Sequence, residues 1–239
     1  MKTIVHKADS RGHANHGWLN SYHSFSFGNY HNPERVHFGA LRVLNDDAVK
    51  AGMGFSKHPH DNMEIISIPL YGDLHHKDTT GRDEIIRQDD VQIMSAGSGI
   101  AHSETNANSD KDVKFLQIWI LPKERNIEPR YEQKTFKPEN RQNQMVTVVA
   151  PDDEKAVWIN QDAWLSLAEL SKDQSTSYAI RKEGNGVYVF VLSGNITISG
   201  QSLETRDALG IWETGSISIQ ANTAAQLLFI DVPMQVPGV

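Results

Sequence analysis

The chain has no cysteine among its 239 residues. Disulfides, thiolate metal ligands and cysteine nucleophiles are therefore excluded, and any bound metal must be held by nitrogen and oxygen. No apolar run approaches the roughly 20 residues needed to cross a bilayer. The opening Met1-Lys2-Thr3-Ile4-Val5-His6 lacks the apolar core of a secretion signal, so the expected compartment is the cytosol, without membrane contact. The chain has no G-x-x-x-x-G-K loop, no G-x-G-x-x-G after a strand and no G-x-S-x-G elbow, which removes the common nucleotide and serine-hydrolase chemistries. Basic residues are outnumbered, 23 against 30 acidic ones, for a net charge of −7. Direct binding to nucleic acid is not expected from such a surface. Histidine is missing from the whole second half, since all eleven lie between His6 and His102.

What remains is a chain of short β patterns. Hydrophobic residues make up 38% and charged residues 22%, as in an ordinary globular protein. Ser21 to Phe27 alternates aromatic and small polar residues and predicts a half-buried strand. Phe38 to Leu44 predicts another, broken by Asn45-Asp46-Asp47. Met63 to Tyr71, Leu74 to Asp78, Glu84 to Arg87, Val91 to Met94 and Val113 to Leu121 follow, separated by Gly, Asp and Pro turns. Strands so short and so regularly punctuated favour an all-β sandwich or barrel. The polar stretch Lys123 to Gln144 reads as a linker. Beyond it the plan repeats: Val187 to Leu192 echoes Ile65 to Tyr71, Arg206 to Ile211 echoes Asp89 to Ile93, and Ala225 to Pro233 echoes the strand ending at Pro122.

The chemistry concentrates between Gly52 and Asn106. His58-Pro59-His60 and His102-Ser103-Glu104 each put two ligand-type side chains at i, i+2, hence on one face of a strand. Two such strands side by side would gather three imidazoles and a carboxylate, a nitrogen and oxygen metal site. Glu64, four residues past His60, is a second candidate carboxylate, and strand parity does not choose between it and Glu104. His75 and His76 read as an exposed residue and a core or outer-sphere one. His13, His16, His23, His31 and His37 read as surface or packing residues. Met53, Phe55 and Phe115 are candidate cavity walls.

The spacing Gly52…His58-x-His60…Glu64…Gly72 resembles the first cupin motif, and Gly97…His102…Asn106 resembles the second. Ser24-Phe25-Ser26-Phe27, Phe38 to Leu44, His58-Pro59-His60 and Met94 to Glu104 further resemble the pirin family. The resemblance implies two tandem jelly-roll barrels, a bicupin: a metal-binding barrel over residues 1–135 and a second, ligand-free barrel over 136–239. It implies one divalent transition metal held by His58, His60, His102 and Glu104, since the pirin pattern takes its carboxylate from the second motif. Fe(II) leads the expected ions, ahead of Ni, Mn, Co, Cu and Zn. It also implies quercetin 2,3-dioxygenase activity on a flavonol-like substrate with O2, in which Glu104 serves as ligand and catalytic base, the heterocycle opens and carbon monoxide leaves. Eukaryotic members imply an alternative, a redox-responsive regulator with a protein partner. The cupin scaffold allows a third reading, another metal-dependent reaction on an unknown metabolite.

Overall fold

The computed structural model describes residues 1–236 and is built almost wholly from strands. In chain order these are β1 (Lys2–His6), β2 (Gly12–Asn15), β3 (Leu19–His23), β4 (Leu41–Val49), β5 (Gly54–His60), β6 (Glu64–Tyr71), β7 (Leu74–Asp78) and β8 (Asp83–Ile86). Then come β9 (Asp90–Ser95), β10 (Ile100–Asn106), β11 (Val113–Ile120), β12 (Arg130–Thr135), β13 (Met145–Ala150), β14 (Val157–Trp158) and β15 (Trp164–Leu170). The chain finishes with β16 (Ser175–Ala179), β17 (Asn185–Ser193), β18 (Asn195–Ile198), β19 (Gln201–Glu204), β20 (Ala208–Trp212), β21 (Ser216–Ala221) and β22 (Ala225–Pro233). Among the described residues, the helical segments are two short turns, Ala8–Ser10 and Pro138–Asn140, and no helix is long and apolar enough to cross a membrane.

The strands form two jelly-roll barrels of the same plan. A seven-stranded sheet β12-β9-β6-β11-β4-β3-β2 packs on the four-stranded sheet β5-β10-β7-β8. The order β1-β20-β17-β22-β15-β13-β14 packs likewise on β16-β21-β18-β19. The repeat expected from the sequence is thus real: β6, β9 and β11 have β17, β20 and β22 as counterparts. One strand departs from chain order. β1, at the N-terminus, pairs with β20 from Lys2↔Trp212 to His6↔Ala208 and occupies the edge that β12 occupies in the first barrel.

Alternation explains how the barrels join. In β6, β11, β17 and β22 both faces are buried. Ile66, Ile68 and Ile118 point out of the first barrel and meet Tyr188, Phe190, Leu228 and Ile230 of the second in one shared core. Odd-numbered neighbours such as Phe115 point into the first barrel, and Val187, Val189 and Phe229 into the second. Each such side chain, fully buried, is worth about 1.5–3 kcal/mol, so a shared two-sided core is a strong bond between the halves.

Three local expectations are corrected. β3 ends at His23; Ser24 and Phe25 bend the chain, the Ser24 and Ser26 amides bond to the Leu44 and Arg35 carbonyls, and Phe27 makes an isolated bridge to Tyr30. β4 does not break at Asn45-Asp46-Asp47 but runs through to Val49. Asn and Asp disfavour strands on average; here pairing on both sides, to β3 and β11, overrides that preference. The stretch expected as a linker contains β12, which pairs along its whole length with β9.

Candidate metal centre

β5 and β10 lie side by side in the small sheet, antiparallel, with His102 opposite His58 and Ile100 opposite His60. On β5 the exposed Lys57 and Pro59 alternate with His58 and His60. On β10 Ile100, His102, Glu104 and Asn106 are all buried while the residues between them are not. A bulge follows His102, so that Glu104 stands opposite Phe55. The strands approach closely here. A Cβ on Gly54 would lie 2.3 Å from the Glu104 carbonyl oxygen and 2.4 Å from Thr105 Cα, which explains the glycine before the first ligand pair.

The three imidazoles of His58, His60 and His102 converge. Each offers a ring nitrogen within 4.8 Å of the others, and their ring centres are 4.5 to 5.0 Å apart. The His58 Nδ1–H donates to the Ser56 carbonyl at 2.8 Å, which leaves Nε2 as the free lone pair. Burial, with the neighbouring His58, lowers His60 to about 4. Burial and the surrounding imidazoles lower His102 to about 2. Both are therefore neutral, the form that binds metal. Both nitrogens of His102 are buried and have no hydrogen-bond partner, a costly state for a lone imidazole. Three rings with free nitrogens at one point fit a divalent transition ion.

Glu104 stands beside this cluster, two residues along β10 on the same buried face, but is not one of the mutually close group. Ser67 Oγ donates to one carboxylate oxygen at 2.9 Å and Gln117 Nε2 to the other at 2.6 Å. Those bonds favour the ionised form. Complete burial outweighs them and raises the carboxyl to about 7. Glu64 lies elsewhere. It shares the outward face of β6 with Ile66 and Ile68, accepts from Ser95 Oγ at 2.7 Å, and accepts from the Asn160 amide of the second half at 3.2 Å. Parity failed as a guide because the chain passes between sheets at Asp61 to Met63, through Asn62 with φ of 46°.

A further histidine adjoins the cluster. His76 on β7 is fully buried, and its ring centre is 5.3 Å from that of His102. Its Nε2 is 2.8 Å from Asp78 Oδ2, and its Nδ1 has no partner. Asp78 is fixed in turn by the Thr80 amide at 2.8 Å and the Thr80 hydroxyl at 2.6 Å. His75 is half-exposed and pairs with Asp83 at 2.6 Å.

His58 and Glu104 open onto a cavity of about 620 Å3, a size suited to a small organic ligand. Trp18, Phe27, Phe55 and Trp119 supply aromatic wall. Of the expected wall residues, Phe55 lines this cavity, Met53 is exposed and Phe115 is buried in the core behind it. His13 and His16 border the cavity, and His23 is buried in its wall with Ser21, Asn45 and Asp47. These last residues were not among the expected site residues. The signal for them was a run of polar residues, Asn45 to Asp47, inside an otherwise good strand.

Among the described residues, the second barrel has no equivalent. On β16 and β21, the counterparts of β5 and β10, the inward residues are Tyr178, Ile217, Ile219 and Ala221, and with Phe229 they fill the interior.

Comparison with known proteins matches each half of the chain to a family model. Residues 4–120 match the family model described as Pirin, and residues 147–232 that described as the quercetinase C-terminal cupin domain. A quercetin 2,3-dioxygenase of Escherichia coli K12 is 43% identical over 229 residues, covering 96% of this chain and 98% of that protein. A putative quercetin 2,3-dioxygenase of Pseudomonas aeruginosa is 39% identical, covering 94% and 97%. The crystal structure of the bacterial pirin YhhW from Escherichia coli in complex with nickel(II) superposes with a TM-score of 0.92 at 42% identity, covering 97% of this chain and 99% of that one.

Proposed function

The chain belongs to the pirin family, and from that premise we propose that it is a metal-dependent dioxygenase that opens the heterocycle of flavonols such as quercetin. In the balanced reaction both atoms of O2 enter the ester product and one ring carbon leaves with its own oxygen as carbon monoxide. The observation that carries this reading is the junction of three converging imidazoles and a carboxyl raised to about 7 at one end of an aromatic-walled cavity of about 620 Å3. In this reading His58, His60, His102 and Glu104 hold the ion, and the first half up to residue 135, apart from β1, makes the working barrel, while β1 and β13 to β22 brace it from behind. A bound divalent ion supplies positive charge to the substrate oxygen and, if redox-active, a path for electrons to O2.

The chain's own residues do the rest. The aromatic rings exclude water and hold a flat ligand. Glu104, with proton affinity near neutrality, takes the proton of the hydroxyl that approaches the metal. Ser67 and Gln117 keep its two oxygens in a fixed orientation. Glu64, on the other face of β6, stays outside this chemistry and ties the barrels together through Asn160.

The test is direct. The protein is purified without added metal, its ion identified, and the loss of quercetin absorbance followed with and without O2, with carbon monoxide measured. Oxygen-dependent loss with release of one carbon monoxide per turnover is expected. Absence of turnover with the native ion in air would overturn the reading. In parallel, Glu104→Gln is expected to lose metal and Glu64→Gln to retain it. Loss of metal by Glu64→Gln alone would reverse the choice of carboxylate.

A further inference from the structure

The cavity wall between β3 and β4 is polar where its surroundings are not. Ser21, His23, Asn45 and Asp47 line it, and none is more than 5% exposed. They are in register: Ser21 pairs with Asp47 and His23 with Asn45. Asn45 pairs on its other side with Gln117, the residue that holds Glu104. A continuous polar strip therefore runs from the metal end across β11 and β4 to β3. Further along the same strands, Leu19, Val49 and Phe115 close the barrel with a purely apolar core, so closure of this barrel does not require polar side chains.

The hydrogen bonds in the strip run one way. Ser21 donates its single proton to Asp47 Oδ1. His23 Nε2, 2.8 Å from the Ser21 oxygen, must then bring the proton of that bond. This makes His23 Nδ1 a lone pair, and it is buried without a partner. Asn45 Oδ1 is also buried without a partner. Ser21 is the one donor to the Asp47 carboxylate among the described residues. The buried side-chain atoms that the strip leaves without a partner, His23 Nδ1 and Asn45 Oδ1, are thus acceptors. Acceptors buried beside apolar rings are unfavourable until donors complete them.

We propose that Ser21, His23, Asn45 and Asp47 form a hydroxyl-recognising subsite, so that the substrate is an aromatic molecule bearing hydroxyl donors beyond the one directed to the metal. This rests on the function proposed above and narrows it. Two carboxylates, Asp47 and Glu104, border the cavity, so an acidic ligand is disfavoured.

The metal-loaded protein is titrated without oxygen with two probes, quercetin and 3-hydroxyflavone, which lacks the additional hydroxyls. Turnover of both is measured separately in air. The parent is expected to bind quercetin about tenfold more tightly, the effect of one good hydrogen bond. In Asp47→Asn and in Asn45→Leu that ratio is expected to fall towards one. Equal affinity for both probes in the parent, or an unaltered ratio in both variants, overturns the subsite even if flavonols are turned over. If Asp47→Asn does not fold, the parent ratio and Asn45→Leu still decide. Failure of the parent to bind or turn over either probe overturns both the subsite and the proposed function.

Discussion

Glu104 is where opposing effects are most closely balanced. Two hydrogen bonds, each worth about 1.5–3 kcal/mol to a charged group, favour its carboxylate. Removing that charge from water costs several kcal/mol, and the net result is a carboxyl raised to about 7. The sign of the consequence follows from linkage. In metal-free protein, the folded form keeps this proton at pH values where the unfolded chain has released it. The stability so gained is complete at acid pH and is lost as pH rises to about 7. Glu104→Gln has no such loss, so its metal-free form should melt above the parent by a margin that widens from about pH 4.5 to 7, reaching on the order of 1–3 kcal/mol. Melting curves in chelator at several pH values check this. His60 and His102, lowered by burial, act in the opposite sense, and in both proteins stability falls as pH drops below 6.5. Their contribution cancels when variant and parent are compared at one pH. Metal binding needs the carboxylate and neutral rings, so the affinity for a divalent ion should fall as pH is lowered through about 7, measurable by competition with a chromophoric chelator.

At the scale of strands, β7 supports what β5 and β10 present. Two imidazoles joined by one hydrogen bond of roughly 3 Å have centres about 5 Å apart; those of His76 and His102 are 5.3 Å apart, and each has a buried nitrogen without a partner. With Nε2–H directed to Asp78, His76 has an accepting Nδ1 available to His102. His76→Phe should therefore weaken metal affinity by roughly 10–100-fold. His76→Gln, which retains an acceptor, should recover part of it, whereas equal losses would mean that the ring only packs. The strands that gather the candidate histidines were legible in the sequence because i, i+2 spacing is a property of the strand itself. Position around the barrel was not. Glu64 and His60 are separated by an even number of residues, yet the left-handed Asn62 between their sheets turns them to opposite faces. Asn45 and Asp47 read as a strand breaker by composition, because their partners lie on β3 and β11 and become visible only after folding.

In the whole molecule the duplication divides labour. One barrel keeps a cavity and the other is filled, its Tyr178 stacked on Phe229 at 5.2 Å. The repeat, the all-β class and the loss of histidine from the second copy were readable from the sequence. The exchange of β1 was not, since Ile4-Val5-His6 is too short to declare its partner. Its anchors are strong: His6 Nδ1 is 2.8 Å from the Tyr188 hydroxyl, and the Ala8 amide donates to Asp207 at 2.8 Å. Deletion of residues 1–6 should uncover the edge of β20, lower the melting temperature by several degrees and promote self-association. Calorimetry and light scattering would register both effects, and an unchanged melting point would refute the structural role of β1.

The same exchange sets an order of events at the ribosome. β1 emerges well before β20, its neighbour, with about 200 residues of synthesis between them. At about 5–20 residues per second the nascent chain carries an unpaired strand for tens of seconds or less. The metal barrel meanwhile has all of its strands once Thr135 has emerged. The half-made protein can thus assemble its histidine cluster while the outward apolar face of β6 and β11 is still uncovered, so its exposure to aggregation is greatest in that interval rather than at the end.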